Sequence, residues 1–120
     1  MSKRSIVHIE IPSNNTEESA KFYSELFDWD TDHTREPVSY TSFAAGNTGG
    51  GFPEVGEMYK PGDVLIYIAS DDLEADLKKI ESLGGTTLVP RMDVQGHGAL
   101  AIFTDPTGNK VALWKSNSQG

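Results

Sequence analysis

The chain has 120 residues, 37% hydrophobic and 23% charged, a balance that fits one soluble globular domain with one core. Its formal net charge of −8 disfavours nucleic acid and anionic membranes as partners, since both require a basic face. It has no cysteine, which excludes disulfides, thiolate nucleophiles and structural zinc of the cysteine type. No apolar run reaches the length of a membrane span, and no apolar region of signal-peptide length precedes Pro12, so the cytoplasm is the expected location.

In chain order, Ile6 to Ile11 alternates. Val7, Ile9 and Ile11 form one face, expected to pack on helices, and Ile6, His8 and Glu10 form the other. Pro12 to Asn15 breaks the strand. Asn15 or Thr16 can cap a helix that runs to about Phe27, with Glu17 and Glu18 in its first turn. Ala20, Tyr23 and Phe27, with Phe22 and Leu26 beside them, form a stripe that reads as core. Trp29 to Arg35 reads as strand edges and turn, and Val38 to Ala44 as a strand. Gly46-Asn47 is a turn signal. Gly49-Gly50-Gly51 marks either a close backbone approach or a flexible loop.

Residues 53–63, with Pro53, Gly56, Pro61 and Gly62, read as a linker. Beyond it, Val64, Ile66 and Ile68 share one face of a strand, and Leu65, Tyr67 and Ala69 share the other. Asp71 and Asp72 are good caps for the helix stripe Leu73, Leu77, Ile80 and Leu83, which Gly84-Gly85 ends. Thr86 to Val89 reads as a strand and Pro90 to Gly98 as a long polar loop. Ala99 to Thr104 is a strand, Asp105 to Asn109 a tight turn, and Lys110 to Trp114 the last strand. Ser116 to Gly120 is expected to fray.

The chain repeats itself. A shift of 57 positions, from His8 to Leu65, superposes Ile9 on Ile66, Ile11 on Ile68, Ser13 on Ser70, Glu17 on Glu74 and Leu26 on Leu83. Two similar half-domains follow: module 1 at about 4–52, the linker, and module 2 at about 64–115, within a single domain over 1–120. One helix and several strands per half imply an α+β fold with helices on one face of a sheet.

This doubled pattern resembles the vicinal oxygen chelate superfamily of glyoxalases, bleomycin-resistance proteins and extradiol dioxygenases. The matching stretches are His8 to Pro12, Lys21 to Trp29, Asp71 to Ala75 with Leu83-Gly84-Gly85, and Phe103 to Asn109. The resemblance implies two tandem βαβββ modules forming a curved mixed-sheet cup with outer helices, and a homodimer. It also implies a divalent metal held by one inward residue from each of four equivalent strands. His8 stands at the first of these positions, Leu65 at its equivalent, Ala112 on the last strand, and Gly50 or Gly51 on the fourth. One donor out of four disfavours the metal, since a lone imidazole holds a cation poorly against water. A displaced site drawing on His8, Glu10 and Tyr67 is the alternative, and no cofactor is otherwise expected.

The ligand-binding residues expected on the cup are His8, Glu10 and Arg91 as polar anchors, with Phe43, Phe52, Leu65, Tyr67, Ala112 and Trp114 as walls. The expected function is the binding of a small molecule without the usual metal. The alternative is a glyoxalase-like lyase or isomerase in which His8 and Glu10 are the catalytic candidates.

Overall fold

In the computed structural model the chain adopts an α+β fold, described over residues 3–34, 39–57 and 59–117. The elements run β1 (Ile6–Glu10), α1 (Thr16–Phe27), β2 (Asp30–Thr34), β3 (Tyr40–Ala45), β4 (Thr48–Gly51), β5 (Leu65–Ala69), α2 (Leu73–Ser82), β6 (Thr86–Val94), β7 (Gly98–Thr104) and β8 (Lys110–Ser116). The strands belong to a mixed, open sheet. One compact unit is His8–Leu65, and the other joins the residues up to Val7 to those from Ile66 onward.

Each module has the same internal pairing. In the first, β2 and β4 flank β3 antiparallel, and β1 lies parallel to β4. In the second, β6 and β8 flank β7 antiparallel, and β5 lies parallel to β8. The duplication extends to the helix caps. Asn15 caps α1 by accepting from Glu18 N at 3.1 Å, and Asp72 caps α2 by accepting from Ala75 N at 3.1 Å. Ser13 Oγ accepts from Asn15 N and lies 2.6 Å from Ser19 Oγ, while Ser70 Oγ accepts from Asp72 N and donates to Asp76 at 2.6 Å. The serine shared by the halves is therefore the hinge of strand-to-helix entry, satisfying a backbone donor that the helix cannot.

Asp76 also anchors the start of the chain. Arg4 donates to both its carboxylate oxygens, at 2.7 and 2.8 Å, and to Ala69 O at 3.0 Å. The hydrogen bond from Arg4 is the main reason the Asp76 carboxyl titrates below its ordinary value of 3.8. A depressed carboxylate contributes its full stability above its unfolded pKa and loses it as pH falls through its lower, folded-state value. Asp76→Asn is expected to cost roughly 1 kcal/mol at neutral pH, a figure kept small because Arg4 is half exposed, and nothing once pH lies below the depressed folded-state value. Urea unfolding of both proteins at neutral and acid pH checks this.

The module 2 core lies under α2. Leu73, Ala99, Ala101 and Leu113 are buried, with Ile68, Leu77, Ile80 and Phe103 packed against them. The helix stripe predicted from spacing is right up to Ile80, but Leu83 is 68% exposed because the helix has ended and the chain turns through Gly84 at φ 101°. In module 1, Phe43 and Phe52 are buried, and Trp29 stacks on Phe43 at 4.5 Å and on Tyr23 at 5.1 Å.

Several expectations are corrected. Phe22, Leu26 and Phe27 are more than half exposed, since Tyr23 alone supplies α1's ring to Phe52 at 5.6 Å. Val7 is exposed and Glu10 is buried, so the polar face of β1 is the more enclosed one at its end. Asp30–Thr34 is a full strand, and β3 begins by Tyr40; the expected start at Val38 and end at Arg35 lie outside the described residues. The polar loop expected from Pro90 is strand: β6 continues to Val94 through register shifts around Val89. Pro90 is tolerated there because it falls within the register shift between Val89 and Met92 of an edge strand, where the ladder to β7 is already interrupted. Gly49 to Gly51 are strand, with close backbone approach at Gly49 and Gly50 and the Tyr40 side chain against Gly51, not a loop.

The Asp105 turn is as expected. Its carboxylate accepts from Thr107 N, Asn109 N, Thr107 Oγ1 and Asn109 Nδ2 at 2.9–3.2 Å. These bonds, those from Asn109 foremost, lower its pKa from 3.8 to about 2. The turn is expected to hold above pH 3.8 and to loosen as pH falls toward 2, which carboxyl-carbon NMR titration of Asp105 reads directly.

Candidate functional site

Strand parity puts His8 and Glu10 on the face of β1 opposite Ile9. β4 lies beside them with Glu10 opposite Gly51, and β3 sits beyond with Ser42 opposite Gly51. Tyr40, two residues before Ser42, is therefore on the same face. The three side chains meet. Tyr40 Oη donates to Glu10 Oε2 at 2.8 Å, and His8 Nε2 lies 3.1 Å from Tyr40 Oη and 3.3 Å from Glu10 Oε2. Glu10 is only 8% exposed, so its carboxylate depends on these donors for the solvation it has lost.

Burial, and secondarily the negative charge of Glu10, pushes the Tyr40 phenol far above its ordinary value of 10. It therefore stays protonated and acts as a donor to Glu10. An imidazole hydrogen on Nε2 can point at either oxygen, so the cluster is a closed ring of donors and acceptors with His8 on its more exposed side.

Tyr40 was not among the residues singled out from sequence. It stands in a run of ordinary β-formers, and only the register of β3 against β4 and β1 brings it to Glu10. Gly51 makes the room. A Cβ there would overlap the Tyr40 hydroxyl oxygen and lie 2.7 Å from Cε2 of the ring.

The other expected site residues are dispersed. Phe43 and Phe52 are packed with Tyr23 and Trp29 against α1, and so do not form a wall on the His8 face. Arg91 donates to Asp93 at 3.1 Å and lies 3.8 Å from Glu74 of α2, which commits its charge to the helix side of β6. Leu65, Tyr67 and Ala112 are buried, with Tyr67 directly opposite Ala112 on β5 and β8. Trp114 is half buried and borders an open concavity of about 470 Å³ with Gly96, His97, Ser116 and Asn117.

The paired registers also decide which glycine matches Ala112. Glu10 faces Gly51 as Tyr67 faces Ala112, and Glu10 and Tyr67 are equivalent by the 57-residue shift. The four equivalent positions are thus His8, Gly51, Leu65 and Ala112, of which only His8 carries a donor atom. Among the described residues no group of three or more His, Cys, Asp or Glu is placed to hold a metal ion. The four-donor chelate does not fit these residues.

Residues 5–113 match the Glyoxalase/Bleomycin resistance protein/Dioxygenase superfamily. The chain belongs to this superfamily. Within the glyoxalase superfamily it is 30% identical to the anthracycline biosynthesis protein DnrV of Streptomyces peucetius over 81% of its own length and 42% of that protein's, so it spans less than half of that relative. It is 30% identical to a glyoxylase-like domain-containing protein of Didymella fabae, covering 88% of each. Its fold is similar to hypothetical protein BH1468 from Bacillus halodurans (TM-score 0.76, 12% identity, 99% of both chains). It is also similar to methylmalonyl-CoA epimerase from Mycobacterium tuberculosis (TM-score 0.73, 10% identity, 95% of this chain and 89% of that one). Among the described residues of this superfamily member, no helix is long and apolar enough to cross a membrane.

Proposed function

We propose that this glyoxalase-superfamily chain is a small-molecule-binding protein that anchors its ligand through the His8–Tyr40–Glu10 cluster, without the superfamily's divalent metal. The observation that carries the reading is a buried carboxylate satisfied by a phenol and an imidazole, on the β1–β4 face where Gly51, a chelating position by register, has no donor. The proposal draws on the cluster within the unit His8–Leu65 alone. Phe43, Phe52 and Arg91 leave it, because packing and ion pairs already occupy them. The chain is read as one domain, cytoplasmic and paired as a homodimer. The exposed Phe22, Leu26 and Phe27 support the pairing, which light scattering checks by a mass of two chains against one.

The likeness to DnrV makes an anthracycline the first probe. Thermal unfolding of the wild type is expected to rise with the probe, and the rise to be lost in Glu10→Gln and His8→Ala. An unchanged midpoint with the anthracycline and with a panel of polycyclic aromatics contradicts the reading.

A second reading, a lyase or isomerase with Glu10 as base, is favoured by the burial of Glu10 beside a donor. Its signature is deuterium uptake from heavy water into an enolisable carbonyl compound, lost in Glu10→Gln.

A further inference from the structure

The misfit of the chelate has a specific structural form in module 1. Gly51 and Ala112 are equivalent by register, and Ala112 is buried with its methyl group in place. At Gly51 even a methyl group has no room, because the hydroxyl end of Tyr40 fills that space. The phenol reaches it from β3, two residues along from Ser42, the partner of Gly51. Standing there, it touches the two neighbouring groups able to ligate a cation, Glu10 at 2.8 Å and His8 at 3.1 Å.

We propose that Tyr40 is a positioning residue that has taken the seat of the chelating side chain on β4, with Gly51 as the vacancy that admits it. A protonated phenol in this seat holds Glu10 and His8 to each other by hydrogen bonds and keeps both away from a divalent cation. The loss of the side chain at 51 and the presence of Tyr40 are then one coupled feature. A side chain with a donor at 51, with Tyr40 removed, restores three donors on one face: His8, Glu10 and the new group. Three such ligands are enough for a transition metal with open positions. This inference rests on the metal-independent reading of the same site.

The test is a nickel titration followed by calorimetry and thermal unfolding, on the wild type and on the double variant Gly51→Glu with Tyr40→Ala. His8→Ala is added to each so that binding at His33 and His97 is subtracted. The double variant is expected to gain a His8-dependent rise in midpoint of roughly 4 °C or more at saturating nickel, and the wild type none. A folded double variant that gains no His8-dependent binding overturns the coupling. A wild type that binds nickel through His8 overturns the metal-independent reading itself.

Should the double variant fail to fold, Gly51→Ala tests the seat alone. Its methyl must displace the phenol, so the His8 imidazole NMR signals are expected to move as they do in Tyr40→Phe. Signals left at their wild-type positions in Gly51→Ala overturn the assignment of the seat.

Discussion

Phe52→Ala is expected to destabilise the protein by about 3–5 kcal/mol, the largest effect of any single truncation in module 1. Phe52 is 1% exposed and sits between two rings, with Tyr23 of α1 at 5.6 Å and Phe43 of β3 at 5.2 Å between centroids. Its own backbone N–H donates to Thr41 O at 2.9 Å, which fixes it at the end of β4. Removing the ring takes away the direct stack of β4's end on α1, a helix that has no fully buried residue of its own. Neighbouring rings are held by Trp29 and cannot swing in to close the hole. Urea unfolding should show the midpoint falling with little change in the slope. Phe52→Leu, which refills most of the volume, should cost less than half as much. A loss under about 1 kcal/mol for the alanine variant would mean that the aromatic column does not hold the module together.

Leu73→Ala is the corresponding expectation for module 2, at about 2–5 kcal/mol. Leu73 is fully buried and follows the Asp72 cap directly. Two of its buried neighbours, Ala99 and Ala101, are too short to reach into the space it would leave. The cost should therefore lie in the upper part of that range. Leu83→Ala is the contrasting case. It belongs to the same sequence stripe but is 68% exposed, and its substitution should change stability by no more than about 0.5 kcal/mol. Equal losses for the two leucines would contradict the placement of the core.

The comparison of these two leucines shows what local sequence carries. Spacing announces a helix face, the Asp72 cap announces its start and Gly84-Gly85 its end. All three are local signals, and all three are in the structure. The Asp105 turn is legible for the same reason, because every bond that holds it lies within four residues. The 57-residue repeat is legible because the cap serines and their partners must recur for each strand to turn into its helix.

Faces of strands are less legible. Phe43 and Tyr40 stand on one short strand, and sequence alone favours neither face for either. The register with β4 sends Phe43 beneath α1 and Tyr40 to Glu10, and a slip of one residue would have exchanged them. The candidate site was therefore half visible: His8 and Glu10 by alternation on β1, Tyr40 only through long-range pairing. Pro90 misled in the opposite way. Its missing N–H argues for a loop, and the register shift around it on an edge strand removes the penalty. The exposed phenylalanines of α1 record a further limit, because a stripe in a helix shows what can be buried without naming a surface that buries it.

The central claim is that His8, Tyr40 and Glu10 bind by hydrogen bonds where the superfamily uses a metal. It is tested most directly by metal content. Wild-type protein stripped with a chelator, loaded separately with nickel, zinc and manganese, and dialysed should retain far less than one ion per chain, and His8→Ala should change nothing. Retention of a full equivalent of any of these ions, abolished by His8→Ala or Glu10→Gln, would contradict the account.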